Sequence, residues 1–239
     1  MAIRIDGRDA LALRPITIEP NFLGGGPGKV LVRAGRTAIL CTASLSSEVP
    51  GWMAGKGIGW LTAEYAMLPG STAPRKPRER MKIDGRTTEI QRLIGRSLRA
   101  VVDFARLGER QITIDCDVLE ADGGTRTASI TGAYVAMAGV LRGYDEFHAP
   151  DNWPLTGSVA AVSVGIVSQQ VLVDLNYHED SRAEVDMNLV MTGSGQFIEV
   201  QGTGERTTFS HAQLLELLSA GTAAIEQLTQ HQQVALGQP

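Results

Sequence analysis

Asp122-Gly123-Gly124-Thr125-Arg126-Thr127 separates two stretches of different period, and its reading sets the frame for the rest of the chain. Before it, Ile112 to Leu119 alternates apolar and polar residues, the two-residue period of a strand with one covered face. After it, Ala128 to Leu141 is apolar and rich in small residues, as a helix packed closely on its neighbours would be. The glycine pair lets the backbone turn sharply and approach a ligand, because neither residue carries a Cβ. Thr125 and Arg126 open the helix, where free N–H groups and the positive dipole end favour an anion. A hydroxyl and a guanidinium fork would complete a phosphate cradle. An ordinary strand-to-helix turn with a Thr cap and a surface Arg fits the same hexapeptide, and the motif alone does not separate the two.

The chain of 239 residues can bury a sizeable core as one large domain or two small ones, and no linker-like break interrupts it, so one continuous domain over 1–239 is expected. Cys41 and Cys116 each fall in a strand-like run, which reads as a pair of buried thiols in a reducing compartment and too few for a structural zinc site. Arg4-Ile5-Asp6-Gly7-Arg8 interrupts any apolar leader, and no stretch reaches the roughly 18 apolar residues of a membrane helix. A cytoplasmic protein with no membrane partner is expected. The net charge of −4 conceals an asymmetry: residues 1–110 carry 18 Lys and Arg against 10 Asp and Glu, whereas residues 111–239 carry 4 against 16. One half can meet an anionic partner while the other supplies carboxylates, or the halves can attract each other.

In the basic half, Gly24-Gly25-Gly26-Pro27-Gly28-Lys29 lacks the spacing of a P-loop and reads as a turn between strands. Val30–Val32 and Thr37–Ala43 flank Gly35 as a hairpin. Between Pro50 and Gly59 the composition is that of a loop, with Trp52 and Trp60 as packing anchors or base-stacking surfaces. Five of the eight residues from Arg75 to Lys82 are basic, and Pro74 and Pro77 exclude a regular helix there. Such a loop, with Arg75, Arg78 and Arg80, suits a phosphate backbone, and equally a solvated surface or an oligomer contact. The apolar stripe Ile90, Leu93, Ile94, Leu98, Val101, Val102, Ala105 predicts a helix that Gly108 ends. Arg92, Arg96 and Arg99 share its other side, and Arg86 lies in its first turn.

In the acidic half, Ser158–Val167 and Gln170–Leu175 read as strands, as does Phe197–Gln201. Glu184 to Met191 alternates, so that Glu184, Asp186 and Asn188 share one face and Val185, Met187 and Leu189 the other. Asp180 precedes Asp186 by six residues, in the polar turn His178-Glu179-Asp180-Ser181. Two carboxylates so placed can hold Mg²⁺ or serve as general acid and base, or can simply solvate a turn and a sheet face. Phe209 to about Leu228 reads as a C-terminal helix, with fraying expected over 232–239. Ile-Asp-Gly-Arg occurs twice, at 5–8 and 83–86, without a longer repeat.

Several long runs resemble the ribonuclease PH family of phosphate-dependent 3′-exoribonucleases. They are Gly57 to Pro69, Gly85 to Arg99, Asp115 to Leu119 continuing through Ala121 to Thr127, Asp180 to Asn188, and Glu199 to Thr203. The resemblance spans the chain. It implies a single α+β domain of mixed β-sheets with packed helices, related to a ribosomal protein domain with βαβ topology. It also implies a homo-oligomer, a ring of six built from dimers, in which basic loops face a central opening that grips tRNA. By that resemblance Arg86, Gly124, Thr125 and Arg126 bind inorganic phosphate as co-substrate. Asp180 and Asp186 are then the catalytic pair, associated with Mg²⁺ and with general-acid chemistry, while Arg75, Arg78, Arg80, Arg92 and Arg96 serve RNA. His178, beside the acidic turn, stands where the family usually has an acid.

Three readings follow: a phosphorolytic exoribonuclease trimming tRNA 3′ ends, an inactive RNA-binding ring subunit as in exosome assemblies, and a small-molecule phosphotransferase using the same cradle. Loss of the aspartates or of Thr-Arg would favour the second, and all are present. The basic loop and the arginine helix face argue against the third, because a small substrate has no use for them.

Overall fold

The computed structural model describes residues 4–24, 26–78 and 84–237. Arg80 and the end of the basic loop, predicted to contact RNA, lie outside the described residues. The first half builds a five-stranded sheet from β1 (Ile16–Pro20), β2 (Lys29–Ala34), β3 (Thr37–Ser46), β4 (Trp60–Met67) and β5 (Gln111–Glu120), in the order β1-β2-β3-β5-β4. All neighbours are antiparallel except β4 and β5, which run parallel. A parallel pair needs a crossover. Here it carries α1 (Gly85–Arg99) and the one-turn α2 (Phe104–Leu107), giving a βαβ unit inside an otherwise antiparallel sheet. The second half forms β6 (Val159–Val167), β7 (Gln170–Val173), β8 (Val185–Thr192) and β9 (Phe197–Gly204), an antiparallel sheet ordered β7-β6-β8-β9. The architecture is α+β with two sheets, as expected.

The helix after the glycine pair, α3 (Thr125–Arg142), lies between the sheets and touches β2 and β3 on one side and β6 on the other. It is therefore buried nearly all round, which explains why its sequence has no polar stripe. Small residues permit the close fit: a Cβ on Gly132 would come within 2.8 Å of Val32 and 2.9 Å of Cys41. The outer face of the second sheet is covered by α5 (His211–Ala235), whose Leu217, Ala224, Ile225 and Leu228 pack on alternate residues of β6 and β8. Cys41 and Cys116 face each other across β3 and β5 beneath α3, fully buried thiols with sulfurs 3.9 Å apart. No helix among the described residues is long and apolar enough to cross a membrane.

Three elements differ from the sequence-based expectation. The stripe from Ile90 to Ala105 is not one helix, because α1 stops at Arg99. Val101 and Val102 drop into the core, Val102 bridges Leu155, and the Asp103 carboxylate caps the new helix α2 by accepting from Ala105 and Arg106 N–H. Gly108 ends α2 instead, with φ of 66°. Strand β4 receives no element from periodicity, since Ala63 and Ala66 blur its alternation. Finally, α5 runs seven residues beyond Leu228, and residues 232–235 belong to it. Gln232 is fully buried, its amide donating to the carbonyls of Thr131 (2.9 Å) and Val159 (2.8 Å), so the end of the helix is pinned to α3 and β6.

Candidate active site

The loop expected to bind phosphate sits where β5 delivers the chain to α3. Gly124 is the residue before the helix and Gly123 precedes it, both left-handed with φ of 64° and 79°. Besides that conformation, the spacing requires glycine: a Cβ on Gly123 would overlap the Leu175 carbonyl oxygen, and one on Gly124 would lie 2.9 Å from the Arg14 guanidinium. No side chain caps α3, so the N–H groups of its first turn remain directed at the pocket. Thr125 is buried to 8% exposure and its Oγ1 accepts a hydrogen bond from the Tyr65 hydroxyl at 2.9 Å. With its acceptor side occupied, the Thr125 O–H is left to donate. The Arg126 guanidinium is steadied by Glu89 of α1 (3.3 Å) and by Gln201 of β9 (3.3 Å).

Arg86 reaches the same pocket from the first turn of α1, whose N-cap is Asp84. The Asp84 carboxylate accepts from Thr87 N–H at 2.5 Å, which holds its pKa down to about 2 and keeps it charged at the helix start. The two Ile-Asp-Gly-Arg copies thus diverge. In the first, Arg8 folds back onto Asp6 at 2.7 Å and does not line the pocket.

Opposite the loop stand the acids. The polar turn around Asp180 is a single helical turn, α4 (Tyr177–Asp180), closed by a capping box between Asn176 and Glu179. Asp180 ends that turn at the pocket mouth, while Asp186 lies deeper, on β8, with Asn188 on the same face. On that face Asp186 is half-buried and Asn188 buried, and both line the pocket at the start of α3. Burial raises the pKa of Asp180, against the pull of Arg86 and Arg126. Burial, reinforced by the neighbouring Asp180 charge and only partly offset by Arg126, raises Asp186 to about 6.

One pocket of about 530 Å³ therefore holds Arg86, Gly124, Thr125, Arg126, Asp180 and Asp186 together. Residues from six separate stretches of the chain meet there, and Met67, Pro74, Ser163 and Tyr177 complete its walls. The basic-loop residues Arg75 and Arg78 are exposed and do not line it. Nor do Arg92 and Arg96: Arg92 is exposed on α1, and Arg96 is paired with Glu199 of β9 at 2.5 Å. Arg99 is taken up by packing, lying 5.0 Å over the Trp60 ring and donating to the Leu61 carbonyl. Trp60 also stacks on Phe104, whereas Trp52 meets it edge-on and stays exposed. Sequence reasoning did not single out Tyr65, Glu89 or Gln201 as supports of the cradle, because each contacts it from tens of residues away.

Residues 12–140 match the sequence profile of the 3′ exoribonuclease family, domain 1, and residues 157–224 match domain 2 of the same RNase PH family. The chain belongs to the ribonuclease PH family. Curated relatives agree: ribonuclease PH of Rhodopirellula baltica is 57% identical over 94% of each chain. Ribonuclease PH of a Synechococcus species is 56% identical over 98% of this chain and 97% of its own. That of Bacillus cereus is 55% identical with the same coverage. Among solved structures, rice (Oryza sativa) Rrp46 superposes with a TM-score of 0.79 at 18% identity, covering 98% of this chain and 100% of its own. The Archaeoglobus fulgidus exosome with RNA bound to the active site gives 0.79 at 20% identity, with 96% and 92% covered. At those identities the likeness is one of fold, and it places the chain among two-sheet α+β structures of ribonuclease PH type.

Proposed function

We propose that the chain is a phosphate-dependent 3′-to-5′ exoribonuclease that removes the last nucleotides of tRNA 3′ ends as nucleoside 5′-diphosphates. An oxygen of inorganic phosphate forms a bond to the terminal phosphodiester phosphorus. The bond from that phosphorus to the 3′ oxygen of the preceding ribose breaks, and that oxygen takes a proton. The observation that carries this reading is the juxtaposition, across one pocket, of the Thr125–Arg126 helix start with the Asp180–Asp186 pair. Attack by one anion on another brings like charges together, and Arg86, Arg126 and the first-turn N–H groups of α3 offset the repulsion. The acid pair holds a proton more firmly than ordinary carboxyls do, which suits it to protonate the departing oxygen.

The same pair fits Mg²⁺. Two carboxylates crowded at one pocket gain from a divalent cation, and this ion commonly takes one or two carboxylates and leaves its other positions to water and substrate phosphates. Asp180 and Asp186 would hold it, and bound there it would further offset the charge of the reacting phosphates.

The deciding test is incubation with an RNA 3′ end, with and without inorganic phosphate. Release of nucleoside diphosphates only with phosphate is expected; monophosphates released by water would defeat the reading. An inactive RNA-binding subunit is disfavoured, because both acids and the Thr-Arg cradle are present and assembled.

For the RNA, the exposed Arg75 and Arg78, with Arg80, supply the grip on the backbone, and Arg92 extends the basic surface along α1. Arg96 joins them by exchanging Glu199 for a phosphate. Replacing Arg75, Arg78 and Arg80 together with Ala is expected to weaken tRNA binding and to reduce the slope of log affinity against log salt by about 2–3, at roughly 0.7–0.9 per phosphate released. An unchanged slope would return the loop to an ordinary solvated surface. We further propose a hexamer of three dimers. The exposed edge strand β9, with Phe197 and Val200 open to solvent, is in keeping with an assembly. The solution mass is expected near six times 25.5 kDa, and a monomer at working concentration would remove this part.

A further inference from the structure

Three arginines that the phosphate chemistry leaves unused, Arg4, Arg8 and Arg14, converge from the N-terminal segment on residues 173–179, the approach to the acid turn. Arg4 grips Glu179 with two parallel hydrogen bonds of 2.7 and 2.6 Å. Arg14 does the same to Asp174, Nε to Oδ2 at 2.9 Å and Nη2 to Oδ1 at 2.6 Å, and its backbone N–H adds a third bond at 2.8 Å. All four residues are at least 95% buried. Buried ion pairs of this kind contribute little net stability, because desolvation cancels most of the attraction. What they do supply is geometry.

That geometry links the two halves of the active pocket. The remaining nitrogen of Arg14, Nη1, donates at 2.6 Å to the carbonyl of Asp122, the first residue of the phosphate loop. Thr37 holds the same loop from below, accepting from Asp122 N–H (2.9 Å) and donating to the Gly123 carbonyl (2.7 Å). From the other side the Asp122 carboxylate accepts the backbone N–H of Tyr177, the first residue of α4 (3.3 Å). Gly123 lies so close to the Leu175 and Asn176 backbone that no Cβ fits between them. Asp174 itself turns the chain, with φ of 55°, two residues before the Asn176 cap. One guanidinium thus ties the loop that opens α3 to the turn that ends in Asp180.

We propose that Arg14, Asp174 and the Asp122 carboxylate are positioning residues: they clasp loop 122–124 against turn 174–176 and so set the span between the Thr125–Arg126 cradle and Asp180. This rests on the phosphorolytic reading of the pocket. Burial alone would raise the Asp174 carboxyl, but the Arg14 hydrogen bonds and charge more than compensate, so the clasp stays ionised. Lysine cannot replace Arg14, since an ammonium lacks the planar fork that grips the Asp174 carboxylate through Nε and Nη2 while Nη1 reaches the Asp122 carbonyl.

The test uses the full chain carrying Arg14→Lys or Asp174→Asn, with RNA oligonucleotide and inorganic phosphate varied separately, well below each variant's unfolding temperature. A misplacement of about 1 Å costs up to roughly 100-fold in rate, so kcat is expected to fall about 10- to 100-fold. The phosphate KM is expected to rise while the RNA Kd stays within about twofold, since the clasp touches no RNA-binding arginine. A purely structural role predicts a lower Tm with wild-type constants in the folded enzyme, and that result overturns the proposal. Should both variants fail to fold, Asp122→Ala decides. It leaves the Arg14–Asp174 hydrogen bonds in place and removes the acceptor for Tyr177 together with one charge near Arg14, and a wild-type kcat and phosphate KM there also overturn the clasp. Phosphate binding by calorimetry separates the two levels. A wild-type chain that binds phosphate without turning over RNA defeats the functional reading, while weaker phosphate binding by the variants supports the clasp and equal binding sinks it.

Discussion

Asp186→Asn is expected to lower kcat by about 10²- to 10⁴-fold, the range for removing a positioned acid or base, with the fold intact and the RNA Kd nearly unchanged. The residue is half-buried on β8, whereas its neighbour Asp180 is exposed at the end of α4. Asparagine keeps the shape and a carbonyl acceptor but neither donates an acidic proton nor carries the charge a cation needs. The same variant has a signature in stability. The carboxyl is raised to about 6 in the folded chain, whereas in the unfolded chain it titrates near the ordinary aspartate value of about 3.9. Between those values the folded state binds more protons than the unfolded one, so wild-type stability falls as pH rises through that window and stays lower above it. Asparagine removes the charge that burial penalises. Without added metal, Asp186→Asn should therefore be more stable than wild type by about 1–2 kcal/mol at pH 7.5 and no more stable at pH 4. Full turnover by the variant would remove Asp186 from the mechanism, and a stability gain that did not vanish in acid would remove the electrostatic account of it.

Arg126→Ala is expected to raise the phosphate KM and lower kcat/KM for phosphate by about 10- to 100-fold. That corresponds to the roughly 1.5–3 kcal/mol typical of a hydrogen bond to a charged group. Its RNA affinity should hardly move. The guanidinium is braced by Glu89 and Gln201, so its orientation is fixed before phosphate arrives. Little ordering entropy is then lost on binding, and truncation forfeits nearly the whole contact. Arg126→Lys should recover only part of the loss, since an ammonium lacks the planar fork whose Nη1 meets both braces while the other guanidinium nitrogens stay open to an oxyanion. An equal fall in RNA affinity would reassign Arg126 from the phosphate to the RNA backbone.

The core of the candidate site was legible in the sequence because its residues lie in local patterns. Gly123-Gly124-Thr125-Arg126 carries a turn, a helix start and two donors in consecutive residues, and the alternation around Asp186 puts it on one face with Asn188. The long runs shared with a known family then joined Arg86 and Asp180 to them. What the sequence concealed was long-range. Arg14 and Asp174 are 160 residues apart, and neither lies in a pattern that announces a partner. Tyr65 likewise reads as one more aromatic in a strand until its hydroxyl is found 2.9 Å from Thr125. The break between α1 and α2 escaped for a different reason: the apolar period continues through Val101 and Val102, and only the Asp103 cap and the bridge to Leu155 show that those valines leave the helix. Fraying from residue 232 was wrongly expected because Gln232 looks like a surface residue, whereas it is buried and its amide donates to the carbonyls of Thr131 and Val159.

Confinement of α3 between two sheets ties interior volume to chemistry. Any residue that thickens the layer at Gly132 must lever the helix away from β2 and β3, and its opening turn travels with it. Adaptation to a hotter or colder habitat therefore cannot proceed by freely refilling this middle layer.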